Sequence, residues 1–419
     1  MAGVHTFPRP RYALGAAVLL AIAAVVLALP AAASANAVCG QTITANLVLT
    51  HNLLNCPGNG LVVGQSGIII NLNGKTVDGT GLGVGVRNNG FDDVTIRNGR
   101  IQEFDYGVQL NSGTLRNLVT ALTVANNEFA GIQLSNADTN NRVTANTIEL
   151  QSHNGVSVIN GSVGNVVSSN TIRDNQGDGV FVQSSSSNRV ESNRITDSSS
   201  SNIVLQGANS NTLLLNTMSG SGDPAVSLLT SNSNTLDRNT ATVNGDAGFV
   251  LESSNGNRLL TNTSTSSSDA GIHVKDSSTN TLQANRATGN PTGIDMDGSN
   301  GNTLVSNVAN ANFGSGIELQ NSFRNSVRLN TATSNDASGL SVGGVAAAGQ
   351  GNTIDGNTTN TNGSDGINVS GSGHTIRNNR ASNNDGWGIF AAPGNVDGGG
   401  NRASGNAEPA QCFGVRCTA

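Results

Sequence analysis

Apolar and polar positions in this 419-residue chain alternate in a short cycle that a helix would not produce. A three-residue start recurs at Asn141-Arg142-Val143, Asn165-Val166-Val167, Asn188-Arg189-Val190, Asn211-Thr212-Leu213, Asn234-Thr235-Leu236, Asn257-Arg258-Leu259, Asn280-Thr281-Leu282 and Asn302-Thr303-Leu304, every 22 to 24 residues. The series continues through Asn325, Asn352 and His374, and less regularly backwards through Asn117, Asp93, Asn71 and Asn46. Five residues after each start a second Asn recurs, from Asn98 through Asn146 and Asn239 to Asn379, interrupted at Leu122. Fourteen residues after the start stands a small residue, usually Gly, followed by apolar-x-apolar, as in Gly179-Val180-Phe181-Val182 and Gly316-Ile317-Glu318-Leu319. A period of two predicts short strands with one buried face. Asn, Thr, Ser and Gly dominate and no 3.6-residue apolar stripe appears, so helices are not expected.

A unit of about 23 residues with about three short strands cannot bury its own apolar face, so successive units must stack. A propeller blade needs roughly 40 residues, and a leucine-rich repeat would show several Leu and a helical return in each unit. The pattern therefore predicts an all-β chain folded as a parallel β-solenoid of about 15 coils. Coils about 4.8 Å apart would bring equivalent Asn carboxamides into hydrogen-bonding range as a ladder. Asn also tolerates the left-handed backbone of a tight corner, which would explain its recurrence. Open sheet edges need covers, so residues 36–92 are read as an N-terminal cap with the first coils, 93–397 as the solenoid and 398–419 as a C-terminal cap.

The inward apolars, corner glycines and ladder asparagines over about residues 40 to 405 resemble the right-handed parallel β-helix proteins with a short Asn and Gly-Ile repeat. That group includes carbohydrate-binding proteins and sugar hydrolases, the periplasmic copper-maturation β-helix proteins and the mannuronan C5-epimerases. The resemblance implies a right-handed parallel β-helix, with a polysaccharide or cell-surface glycan as partner. It carries over no catalytic residue. The epimerase motif Asp-Pro-His-Asp is represented only by Asp223-Pro224-Ala225-Val226, the polygalacturonase motifs are absent, and the single Trp387 lies between Gly386 and Gly388 rather than in a lyase motif.

Composition narrows the partners. Charged residues make up 11% of the chain, under half of the roughly 25% usual in soluble domains. Arg9 and Arg11, the apolar run Ala13 to Leu29, Pro30 and the small residues ending at Ala35 or Ala37 read as a secretory signal peptide over residues 1–35. Its apolar run is shorter than the ~20 residues of a bilayer span, so no membrane span is expected after cleavage, and a secreted, periplasmic or surface location follows. Cleavage removes two arginines and no acid, taking the formal charge from −6 to −8. Nucleic acid is excluded as a partner on that balance. The cysteines form two local pairs, Cys39 with Cys56 and Cys412 with Cys417, read as disulfides of an exported protein rather than as one four-thiolate zinc site.

The outward positions of the apolar-x-apolar strand hold the candidate chemistry. One runs Phe181, Val204, Ser227, Val250, His273, Asp295, Glu318, Ser341; the next runs Gln183, Gln206, Leu229, Glu252, Lys275, Asp297, Gln320, Gly343. Asp295, Asp297 and Glu318 offer hard oxygen ligands for Ca²⁺. Lys275 or His273 would act as a base toward a sugar C5 proton, with Glu252 and Gln320 binding substrate. The plain alternative is a solvated face whose charges pair across coils, each pair contributing about 0–1 kcal/mol. Copper is discounted, because His51, His153, His273 and His374 and the methionines Met218 and Met296 fall on different coils. Two functions are expected from this: an exported β-helix that binds, or processes by lyase or epimerase chemistry, an extracellular polysaccharide, or a structural or adhesive surface rod without activity.

Overall fold

The computed structural model describes residues 33–419; the expected signal peptide lies outside them except for Ala33–Ala35, which pair in parallel with Leu47–Leu49. Each unit of the repeat forms one coil with three short strands. In the coil that starts at Asn234 these are Thr235–Asp237, Thr240–Thr242 and Phe249–Glu252. Each pairs in parallel and in register with its equivalents on the coils before and after, giving a first, a second and a third sheet. About 16 turns stack in this way. The third sheet alone holds 17 strands, from Gln41–Ile43 to Cys412–Phe413. Near the N-terminus the first and second strands run together, as in Thr95–Gln102 and Leu118–Ala125. No helix occurs among the described residues.

Alternation along each strand sends one apolar side chain inward from the first strand, one from the second and two from the third. Leu236, Ala241, Phe249 and Leu251 fill their coil and are all fully buried. The inside is therefore a continuous apolar column one coil thick, which only its neighbours complete.

The corners are built differently from the expectation. From Asn146 onward the asparagines of the second series do not adopt the left-handed conformation; the residue before each one does, whether Ala145 (φ 56°), Ser192 (54°), Leu215 (55°), Arg238 (53°) or Thr261 (55°), while Asn98 (59°) takes the corner itself and leaves Gly99 in register with Leu122. The corner turns the next side chain inward; after Ala121 and Gly207 it is apolar, Leu122 and Ala208, but in the Asn ladders it is the Asn, set against peptide groups that the turn leaves facing the coil interior. Its carboxamide satisfies them. The backbone N–H of each ladder Asn donates to the Oδ1 of the next coil's Asn, as Asn216 to Asn239 at 3.0 Å and Asn239 to Asn262 at 2.9 Å. Leu122 joins at the start by donating its N–H to Asn146 Oδ1. In the first ladder His374 takes the place of an Asn: its Nδ1 accepts from Asn352 N at 3.0 Å, its own N–H donates to Asn395 Oδ1 at 2.9 Å, and burial lowers its pKa. A neutral imidazole replaces the carboxamide there.

Two more ladders accompany the two that the sequence pattern shows. Ser231, Ser254, Ser277, Ser299 and Ser322 form one, each hydroxyl accepting the N–H of the coil before. Asn290, Asn312, Asn335, Asn362, Asn384 and Asn406 form the other. The recurrent strand glycine also has another cause than a corner. Gly316 has no left-handed φ, yet a Cβ on it would stand 2.7 Å from Gly339 O and 2.7 Å from Asn335 Nδ2 of the next coil. The ladder carboxamide takes the space that a side chain would need.

Cys39–Cys56 and Cys412–Cys417 are disulfides, as the pairing by locality predicts. Coil pairing continues into the C-terminal segment: Asn401–Ser404 pairs with Arg380–Ser382, and Cys417 and Thr418 pair with Asn401 and Arg402. No helix of the described residues is long and apolar enough to cross a membrane.

Candidate functional site

The third sheet places the predicted residues side by side. His273 lies in register between Val250 and Asp295, and Asp295 between His273 and Glu318. In the neighbouring row Glu252, Lys275, Asp297 and Gln320 follow one another on successive coils. Lys275 Nζ is 3.1 Å from Glu252 Oε1, and that hydrogen bond and charge hold the lysine above its ordinary pKa. His273 Nε2 is 3.6 Å from Asp295 Oδ2, and its Nδ1 is 4.0 Å from Asp269 Oδ2. Gln320 Nε2 donates to Glu318 Oε1 at 2.7 Å. Burial pushes the Asp295 carboxyl up; His273 opposes the shift, while Glu318, Asp269 and Asp297 reinforce it.

This geometry favours some of the expected roles over others. A base at neutral pH needs a lowered lysine pKa, and the ion pair to Glu252 moves Lys275 the other way. As a cation beside carboxylates, Lys275 is suited to holding an anionic or hydroxyl oxygen. Among the described residues no three His, Cys, Asp or Glu side chains gather as a metal-ligand set. Asp295 and Asp297 lie two residues apart on one strand, about 6.6 Å along it, and the register neighbours of Asp297 are Lys275 and Gln320. A shared ion would need these side chains to turn toward one another.

The same outward row, followed to both ends of the stack, carries more than the charged coils. Toward the N-terminus it holds Gln109, whose Nε2 donates to Gln133 Oε1 at 2.8 Å, flanked by the rings of Tyr106, Phe129 and His153 at centroid spacings of 5.6 and 5.8 Å. Toward the C-terminus it continues through Ser341 and Asn368 to Phe390 and Phe413. Those two rings stack at 5.3 Å and 10°, and Trp387 lies 5.9 Å from Phe413. Phe129 and Phe413 remain 46% and 45% exposed. Every aromatic residue of a described strand belongs to the third sheet, Phe249 facing inward, Phe181, Phe390 and Phe413 standing on an outer row, and Tyr106 preceding the strand glycine in register with Ala130. The outward-position argument reaches Gln109, Gln133, Phe390 and Phe413 when carried beyond the eight most regular coils. Trp387 and Phe129 precede their strands and give no such signal.

The model of the family described as "Right handed beta helix region" matches residues 39–183, 152–279 and 216–344. The chain belongs to that family, and its coil is the right-handed parallel β-helix. A search of curated protein sequences finds no match. Among solved structures, the chain is similar to the mannuronan C-5 epimerase AlgE4 A-module of Azotobacter vinelandii, at 12% identity and a TM-score of 0.47 over 90% of this chain and 91% of that one. It is also similar to the DFA-IIIase of Arthrobacter chlorophenolicus A6 (12%, 0.47, 62% and 85%) and the alginate lyase of Paenibacillus sp. str. FPU-7 (14%, 0.43, 62% and 98%).

Proposed function

We propose that this is an exported protein whose third sheet binds an extended polysaccharide laid across its coils. One observation carries the reading: the outward strand aromatics and the charged His273–Asp295–Glu318 and Glu252–Lys275–Asp297–Gln320 rows share that single sheet. Aromatic faces pack against the C–H faces of sugar rings while amides and charges bond the hydroxyls, the mixed lining that small-molecule and glycan sites use. Coils about 4.8 Å apart repeat at nearly the length of one sugar residue. The two disulfides suit the oxidising surroundings in which such a polymer occurs.

The test is a glycan array followed by calorimetry on the best oligosaccharide, with Phe413→Ala and Asp295→Asn as variants. Each should weaken binding about tenfold; the melting temperature should stay within 2–3 °C of the parent for Phe413→Ala, whose ring is exposed, and should not fall for Asp295→Asn, which removes a half-buried charge while keeping the size of the side chain. A parallel absorbance assay for unsaturated uronate reads lyase activity, and calcium added to both measurements reads Asp295, Asp297 and Glu318 as ion ligands. No glycan binding by intact protein would sink the proposal and leave the surface rod.

A further inference from the structure

The second sheet carries an arrangement that the third-sheet reading leaves unused. Its outward row runs Thr358, Arg380, Arg402, Thr418 at the C-terminal end. Arg380 and Arg402 are direct cross-strand neighbours, and no other two cations stand in register on the described strands. Like charges placed opposite one another oppose sheet formation; on the first sheet, by contrast, Asp355 separates Arg328 from Arg377 and pairs with Arg377 at 3.0 Å. Arg380 and Arg402 form no ion pair among the described residues.

Both arginines are exposed and line an open groove of about 390 Å³. Its polar wall consists of Thr358, Asn360, Ser382 and Ser404, no acidic side chain contributes, and Ala419 with its carboxyl group also lines it. Asn360 Oδ1 is occupied by Ser382 N and Oγ, at 3.0 and 2.8 Å, which leaves the Asn360 amide as a donor toward the groove. Two guanidinium groups, an amide and hydroxyls thus face one space with no acidic side chain among them. Guanidinium recognises carboxylate and sulfate with paired hydrogen bonds, while hydroxyls and amides recognise sugar hydroxyls. A volume near 400 Å³ lies within the range that holds a small ligand.

We propose that the Arg380–Arg402 groove binds an anionic sugar unit, carboxylated or sulfated, with its acid group on the guanidinium pair and its hydroxyls on Asn360, Ser382 and Ser404. The groove lies on a different sheet from the His273–Glu318 rows, so it stands or falls separately from the third-sheet reading.

The test is calorimetry with four probes: a polygalacturonate hexasaccharide, a heparin hexasaccharide, cellohexaose and sodium sulfate. At least one acidic hexasaccharide should bind, with affinity that falls as salt is raised. Arg380→Gln and Arg402→Gln should each weaken it at least tenfold with the melting temperature unchanged. Arg286→Gln is the control, because Arg286 stands alone in the same row between Thr263 and Val308, and it should leave binding as it is. Equal losses from Arg286→Gln would show general charge attraction and overturn the site. So would silence toward both acidic hexasaccharides, equally tight binding of cellohexaose, or sulfate alone binding as tightly as the sugar.

Discussion

At the residue scale the fold rests on a pairing of two neighbours, a left-handed corner and the carboxamide that follows it. Leu215 takes the corner at φ 55°, half exposed, at a cost of about 1–2 kcal/mol for a residue with a Cβ. Asn216 beside it is buried; its Oδ1 accepts from Asn193 N and Nδ2 at 3.1 and 3.0 Å, and its Nδ2 donates to Val190 O and Asn239 Oδ1 at 2.9 and 3.0 Å. Asn216→Ala should lose about 1–3 kcal/mol for each buried group left unpaired. Leu215→Gly relieves the corner but adds about 0.5–1 kcal/mol of backbone entropy, so it should be neutral or slightly stabilising. Equal losses in denaturant melts would overturn this division of roles. Asp138 shows what happens when a carboxylate enters a ladder of hydroxyls. It accepts from Thr114 N and Oγ1 and from Ser135 N at 2.8 to 2.9 Å, yet burial outweighs those bonds and pushes its pKa up to about 6. A folded pKa above the unfolded 3.8 means that the fold holds the proton more tightly. The resulting stabilisation is complete below about pH 4 and is lost as pH rises toward 6, on the order of 2–3 kcal/mol in all. Asp178, raised to about 6 by burial, acts in the same direction. Melting temperature should therefore fall between pH 4 and 6, and Asp138→Asn should flatten part of that slope; an unchanged slope would remove Asp138 from the account.

At the scale of the coil, glycine and ladder residue are one unit spread over two turns. Gly155 stands against Asn175, Gly179 against Ser198 and Gly316 against Asn335, each a strand glycine facing the ladder residue of the following coil. By that spacing Asn202, which occupies the glycine position, faces Ser221, and the shorter serine makes room for a fully buried Asn. The substitution is only partly compensated. Asn202 Nδ2 reaches Ser219 O at 3.4 Å, while Asn202 Oδ1, Asn175 Nδ2, Ser198 Oγ and Asn244 Nδ2 in these coils are buried without a partner. Ser221→Asn alone should destabilise by overpacking, about 1–3 kcal/mol, and Asn202→Gly alone should leave a cavity. The double variant should recover the ladder seen from Asn290 onward, giving a coupling energy well above the 0.3–0.5 kcal/mol expected of independent sites; additive losses would separate the two positions. The strands, their register and the first two ladders were legible in the sequence, because a strict repeat states its own alignment. The third-sheet rows followed from alternation alone. The corner rule was not legible, since Ala, Ser, Leu, Arg and Thr share no side-chain property there beyond preceding an inward polar residue. The glycine's reason was hidden too, because the atoms it avoids belong to a coil some twenty residues later in the chain.

Across the whole stack each coil touches only its two neighbours, so stability is a sum of local contacts and the ends are the weakest part. The two disulfides sit at those ends. Cys39–Cys56 ties the first strands to one another, and Cys412–Cys417 closes a short loop that carries Phe413 against Phe390 and Trp387. Backbone pairing there is thin, two residues against Ile389 and Phe390 and two against Asn401 and Arg402. Once the loop is opened, the last turn is held by stacked rings, these four register positions and a few bonds such as Arg416 N to Asp397 Oδ2 and Asn384 N to Asn406 Oδ1. Reduction should therefore speed amide exchange in Ile389–Ala391 and Asn401–Ser404, and in Leu47–Leu49 at the other end. Central strands such as Thr240–Thr242 and Phe249–Glu252 should keep their protection, because their ladder and sheet bonds reach coils on both sides. The same opening frees the Phe413 ring, so glycan affinity at the C-terminal part of the third sheet should drop together with the exchange protection, before any change in the main thermal transition. Uniform acceleration of exchange along all coils on reduction would show that the array unfolds as one cooperative unit and would overturn the nearest-neighbour account.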